Sequence, residues 1–249
     1  MKNEIILWIS SLILVFLIGY IKSITDKDYP ITGTFGIEGK KVSYKLDKIS
    51  FDKDYYKNII ISDIQKLNGK MIWIINNEQR ETAYKIIERG LECKIPKLNP
   101  GQKIKYKVIL EYNDKTFEIP ENEFVTLIFW GNIPSPVKIL HFIFLYGGIL
   151  MSIRCLLELF NQRKNLKKYA FITTALFIVL TTLIHPLYNS YKLGALNKNI
   201  PSITQLLEVS FLVILFLWII GTVLIFNKKY VTPVTLFVVS VTILIFFLN

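Results

Sequence analysis

Apolar residues gather in five stretches, 5–21, 137–157, 169–188, 207–226 and 230–248, and a polar block of roughly a hundred residues separates the first stretch from the other four. Crossing the hydrocarbon takes about 20 residues of helix, and each stretch reaches or approaches that length with its flanks. The polar block carries too many charges to lie in lipid. The pattern predicts a membrane α-helical bundle of five transmembrane helices with an inserted extracytoplasmic antiparallel β-sandwich. Its parts are an N-terminal signal-anchor helix over 1–25, the β-domain over 26–132 and a four-helix transmembrane domain over 133–249. The first stretch ends in Gly19-Tyr20-Ile21-Lys22, without a small-x-small cleavage pattern or a cysteine placed to take lipid, which fits an uncleaved anchor.

Inside the polar block the period changes to two. Ile104, Tyr106, Val108, Leu110 and Tyr112 alternate with Lys105, Lys107, Ile109 and Glu111, giving a strand with one buried and one mostly wet face. Val42–Leu46, Asn58–Ile61, Met71–Ile75, Leu91–Ile95, Thr116–Ile119 and Phe124–Phe129 are further short strand candidates. Asn68-Gly69, Asn99-Pro100-Gly101 and Asn113-Asp114 supply turn signals between them. Glu81–Arg89 reads as a short helix or an irregular strand. The Gly-rich run Gly33–Gly39 lacks a Gly-Lys-Ser/Thr ending and a following helix, so it reads as a turn leading into the first strands rather than as a phosphate loop. Gly131–Pro136 contains two prolines, which restrict the link to the second span.

Charge sharpens the topology. From Lys22 to Pro136 there are 19 Lys/Arg and 16 Asp/Glu; the rest of the chain holds 11 basic residues and three acidic ones, Glu4, Glu158 and Glu208. Most of the net +11 therefore belongs to the membrane part, where basic residues set orientation, and no nucleic-acid partner is expected. Arg163, Lys164, Lys167 and Lys168 follow the second span, and Lys228 and Lys229 follow the fourth. If five helices alternate, both sets share one side, the cytoplasmic side by the positive-inside rule. The amino terminus is then inside, while the β-domain, the loop near 189–205 and Asn249 are outside.

Chemistry-bearing residues are few. His141 lies near the outer end of the second span, His185 near the outer end of the third, and Glu208 at the start of the fourth, all at comparable depth. Imidazoles with a carboxylate suit a divalent metal ion or a proton relay, although the same residues at an interface serve equally for packing or for bonds to headgroups and tyrosines such as Tyr146 and Tyr188. No His-Glu-x-x-His motif or Gly-x-Ser-x-Gly elbow is present. Arg154 and Glu158 are four apart on the second span and face the same way, as a structural ion pair or as part of a cavity open to the cytoplasm. Gly147-Gly148 permits close helix approach or a bend. Cys93 falls in the β-domain and Cys155 in the second span, too far apart for a bridge. The carboxylates Asp47, Asp52, Asp54 and Asp63 read as a solvated face.

Gly39-Lys-Lys-Val-Ser-Tyr-Lys-Leu46, Ile95-Pro-Lys-Leu-Asn-Pro-Gly-Gln-Lys-Ile-Lys-Tyr106, the passage from His141 through Tyr146 to Arg154 and Glu158, and Tyr191-Lys-Leu-Gly194 together resemble a family of uncharacterised bacterial and archaeal membrane proteins. The resemblance spans residues 30–226. It implies a signal-anchor helix, an immunoglobulin-like external domain and a C-terminal helical region in the bacterial cytoplasmic membrane, and it implies no activity. With intramembrane polar residues sparse and no inverted repeat visible, the expected function is a membrane-anchored interaction or accessory protein. Its partners would be the lipid bilayer and another envelope or membrane protein. The alternative is a small transporter or membrane enzyme working through His141, His185 and Glu208.

Overall fold

The computed structural model describes residues 2–51, 54–64, 66–162, 164–194 and 202–248. Asp52, Arg163, Asn249 and residues 195–201 of the loop near 189–205 lie outside the described residues. Two compact units divide the chain: Met1–Thr25, Ile133–Tyr191 and Ala195–Asn249 in one, Asp26–Asn132 with Lys192–Gly194 in the other.

The first unit is helical. Five helical segments are long and apolar enough to span a bilayer: Glu4–Thr25, Ser135–Glu158, Leu166–Lys192, Val209–Phe226 and Val231–Leu248. They correspond to α1 (Lys2–Thr25), α2 (Ser135–Glu158), a composite third span, α6 (Val209–Phe226) and α7 (Val231–Leu248), with a short α5 at Ile203–Leu206. Pro136 sits in the first turn of α2, where a missing N–H costs nothing. The third span is α3 (Leu166–Val179), one π-helical stretch (Leu180–Ile184) and α4 (His185–Lys192). Pro186 explains the wide turn: it donates no N–H and its ring crowds the carbonyl four residues back, and a wider turn makes room without ending the helix. The His185 backbone N–H bonds the Leu180 carbonyl, five residues back.

Buried Leu166, Ala170, Phe177, Phe211, Trp218 and Val239 form the centre of the bundle. Gly148 lets α2 approach α3 so closely that a Cβ there would lie 2.8 Å from the Phe177 ring. On another side of α2, Ile149 and Ile153 pack with Phe246 of α7 and with Val15 and Ile18 of α1. The interior also takes hydroxyls: Thr174 and Thr222 pair at 2.7 Å, and the Trp218 indole N–H donates to Thr242 at 2.9 Å. Thr173, Thr181 and Thr235 are buried as well, so the interior is more polar than the sequence reading expects.

The second unit is a sandwich-like pair of sheets. One orders its strands β1 (Ile31–Ile37), β2 (Lys40–Leu46), β4 (Tyr55–Ser62), β8 (Gly90–Pro96) and β7 (Lys85–Ile87). The other runs β3 (Ile49–Ser50), β11 (Val125–Phe129), β9 (Lys103–Tyr112), β5 (Asn68–Ile75) and β6 (Glu78–Ala83), with β10 (Lys115–Ile119) also paired to β9. Every pairing is antiparallel except β3 with β11. The alternation along β9 buries Ile104, Tyr106, Val108 and Leu110, while Tyr112 stays half-exposed. Asn113 and Asp114 turn the β9–β10 hairpin with φ of 45° and 61°, and Asn76 and Asn77 turn β5–β6 with 50° and 68°.

Three local readings need correction or completion. Asn68-Gly69 opens β5 instead of making a turn, because Gly69 pairs with Leu110. The run from Gly33 is strand as far as Ile37, and its turn is confined to Glu38-Gly39. The region after Asn77 is two strands, β6 and β7, with no helix, since Lys70–Ile75 and Gly90–Glu92 offer it ladder partners on the two sheets.

A polar network threads the sandwich core. The Tyr56 and Tyr106 hydroxyls meet at 3.1 Å, Tyr106 donates to the Asp47 carbonyl at 2.8 Å, and Tyr84 donates to Asn58 Oδ1 at 2.6 Å. Burial pushes the Tyr56 phenol up to about 12 and the Tyr84 and Tyr106 phenols well above the ordinary range.

Candidate functional site

His141 comes from α2, His185 from the first turn of α4, and Glu208 from the residue capping α6. Their side chains meet within the helical unit. His141 Nε2 and His185 Nδ1 are 3.1 Å apart, and one of these nitrogens carries the shared hydrogen. The other ring nitrogen, His185 Nε2, is 3.0 Å from Glu208 Oε2. His185 is 4% exposed, whereas His141 and Glu208 are half-buried, so the central member is sealed and the two ends are accessible.

Aromatic rings fix the imidazoles. Tyr188 stacks on His141 at 4.3 Å between centroids, and Phe211 lies 4.4 Å from the His185 ring. The π-helical stretch immediately before His185 sets the rotation at which the ring enters the cluster. Asn189, absent from the candidates read in the sequence, belongs to the same cluster. Its amide nitrogen is 2.9 Å from His185 Nε2 and donates to the Leu206 carbonyl at 3.2 Å. One signal for it was available: Asn189 follows His185 by four residues, the spacing that puts two side chains on one helix face.

This arrangement is a hydrogen-bonded line, carboxylate to imidazole to imidazole. Among the described residues no group of three or more His, Cys, Asp or Glu is arranged to hold a metal ion, and the two rings spend their facing nitrogens on each other. The chemistry such a line is able to perform is proton transfer, since an imidazole can accept on one nitrogen and release from the other. Ionisable side chains packed between membrane-spanning helices mark functional sites by default, because their desolvation is otherwise unfavourable. The expectation of a membrane-anchored interaction or accessory protein, with no reaction assignable, is therefore overturned by this buried cluster.

At the other end of α2, Arg154 Nη1 donates to Glu158 Oε2 at 2.6 Å with both side chains fully buried. Tyr169 lies 4.6 Å and Trp8 5.5 Å from the guanidinium. Glu158 also accepts from the Asn161 amide at 3.2 Å and from the Asn165 backbone N–H at 2.9 Å, so it closes the turn between α2 and α3. Cys93 and Cys155 are both free and buried.

No family model, curated protein or solved structure matches the chain. What stands of the family resemblance is its outline: an apolar N-terminal helix, a β-rich middle and a helical bundle after it.

Proposed function

We propose that this protein is a small membrane transporter or membrane enzyme whose working part is the polar site of His141, His185 and Glu208. The observation that carries the reading is the continuous contact from Glu208 through buried His185 to His141. In the role proposed, His185 passes a proton between its Glu208 and His141 contacts, and His141 exchanges it with a substrate or with water.

The same proposal takes the membrane to be the bacterial cytoplasmic membrane. Lys164, Lys167 and Lys168 with Lys228 and Lys229 support a cytoplasmic side at those turns. The site and the immunoglobulin-like β-domain then belong to the outer side.

The test has two readouts on the full chain. In lipid nanodiscs, nitrogen NMR of labelled histidine should show His185 titrating differently after His141→Gln, because the two rings share a proton. In proteoliposomes with an entrapped pH dye, proton entry under an imposed potential that is lost in His185→Ala identifies a transporter. Coupled titration without such entry identifies the enzyme form. Two rings that titrate independently would sink both.

A further inference from the structure

We propose that Asn189 and Glu208 are alternate partners of His185 Nε2, Asn189 holding the neutral ring and Glu208 the protonated one. Proton uptake at the site then exchanges one partner for the other. The inference rests on the proton-handling reading and assigns a positioning role to a residue outside the original trio.

The argument starts from the amide. The Leu206 carbonyl only accepts, so its 3.2 Å contact fixes the nitrogen end of the Asn189 side chain on that side and uses one of its two hydrogens. The same nitrogen is 2.9 Å from His185 Nε2, where the second hydrogen can be donated only to a lone pair. A ring that accepts there carries its hydrogen on Nδ1, which faces His141 Nε2 at 3.1 Å and donates to it. Glu208 Oε2 stands 3.0 Å from that same Nε2. A carboxylate beside a lone pair is repelled; beside an N–H it accepts a charge-assisted bond. One nitrogen thus faces two groups with opposite requirements, and its protonation state decides which is satisfied.

Uptake is a simple addition. A hydronium ion at the accessible Glu208 end gives its proton to the Nε2 lone pair: the Nε2–H bond forms as one O–H bond breaks, water is the leaving group, and nothing is oxidised or reduced. The Nδ1 hydrogen stays on the His141 side throughout. Addition turns the Asn189 donor against a donor and releases it, while it draws in the Glu208 carboxylate. Leu206 and Glu208 are two residues apart, so the amide's other bond ends on the segment that Glu208 occupies. Among the described residues, the groups facing His185 are His141 from α2, Tyr188 and Asn189 from α4, and Glu208 with the non-titrating Phe211 at the start of α6.

Opposite signs make the proposal testable. In nanodiscs, nitrogen NMR of the labelled full chain reads two histidines only. The neutral His185 ring should carry its hydrogen on Nδ1. Asn189→Ala should move it to Nε2 and raise the ring's proton affinity by about fivefold, because only the neutral state loses a bond. Glu208→Gln should lower that affinity by about tenfold or more, because only the charged state loses one. A wild-type neutral ring with its hydrogen on Nε2 would overturn the proposal, as would shifts of the same sign in the two variants. The wild-type measurement stands even if a variant fails to fold. Loss of the His141→Gln effect on His185 is a separate outcome, and it would remove the proton-handling reading beneath the proposal.

Discussion

Arg154 and Glu158 stand one turn apart on a membrane-spanning helix and bond at 2.6 Å, with neither side chain reaching the surface. Burying one charge alone is far costlier than burying the pair. Arg154→Met leaves the Glu158 carboxylate without its cation and should destabilise the protein by about 3–5 kcal/mol. Arg154→Met with Glu158→Gln should recover much of that loss. Thermal unfolding of the detergent-solubilised wild type, Arg154→Met, Glu158→Gln and the double variant checks this, and a double-variant loss equal to the sum of the two single losses would show that the pair contributes no coupling.

The α2–α3 contact predicts a contrast between adjacent glycines. A Cβ at Gly148 meets the Phe177 ring at 2.8 Å, but one at Gly147 meets only the end of Leu176 at 3.8 Å. Gly148→Val should cost about 1–3 kcal/mol through overpacking, while Gly147→Ala leaves the melting temperature nearly unchanged. Melting curves measured side by side decide it.

In the β-domain, buried phenols make stability fall at alkaline pH. Tyr56 ionises near 10 in the unfolded chain and is pushed up to about 12 in the fold, with Tyr84 and Tyr106 shifted the same way. Between those values the folded state binds more protons than the unfolded one, so stability is intact below about 10 and declines as pH rises through the folded value. Denaturant midpoints of the sandwich transition should therefore drop from pH 10 upward. Tyr56→Phe should reduce the slope and cost about 1 kcal/mol at neutral pH, through the lost contacts to Tyr106 and Asn58.

Orientation predicts a labelling pattern. Both natural cysteines are buried and give little background. An impermeant maleimide should label Lys115→Cys in intact cells, and should label Lys164→Cys only after permeabilisation. The reverse pattern would invert the proposed topology.

Hydrophobic length made the five spans legible in the sequence, and the period-two run at Lys103–Tyr112 made its strand legible. Asn68-Gly69 misled because a turn dipeptide is a local preference, and the ladder to β9 supplied a stronger, non-local use for it. Of the site, the depth of His141, His185 and Glu208 could be read from alternating helices. The angle at which His185 points could not, since the π-helical stretch changes the rotation and only the placement of Pro186 hinted at it. Asn189 was hidden for a different reason: an amide near a helix end has many bland uses, and its partners come from residues before and after it in the chain.

The wide turn at Leu180–Ile184 has one further consequence, for insertions and deletions. Each residue of a regular helix turns the chain by about 100°, so the surplus residue in this stretch acts as a frame-shift within the span. Removing one residue from 180–184 would give a more regular helix and an equally apolar segment. It would also swing His185 and Asn189 together to a different face, leaving a protein able to insert in the membrane with its two key side chains aimed away from His141.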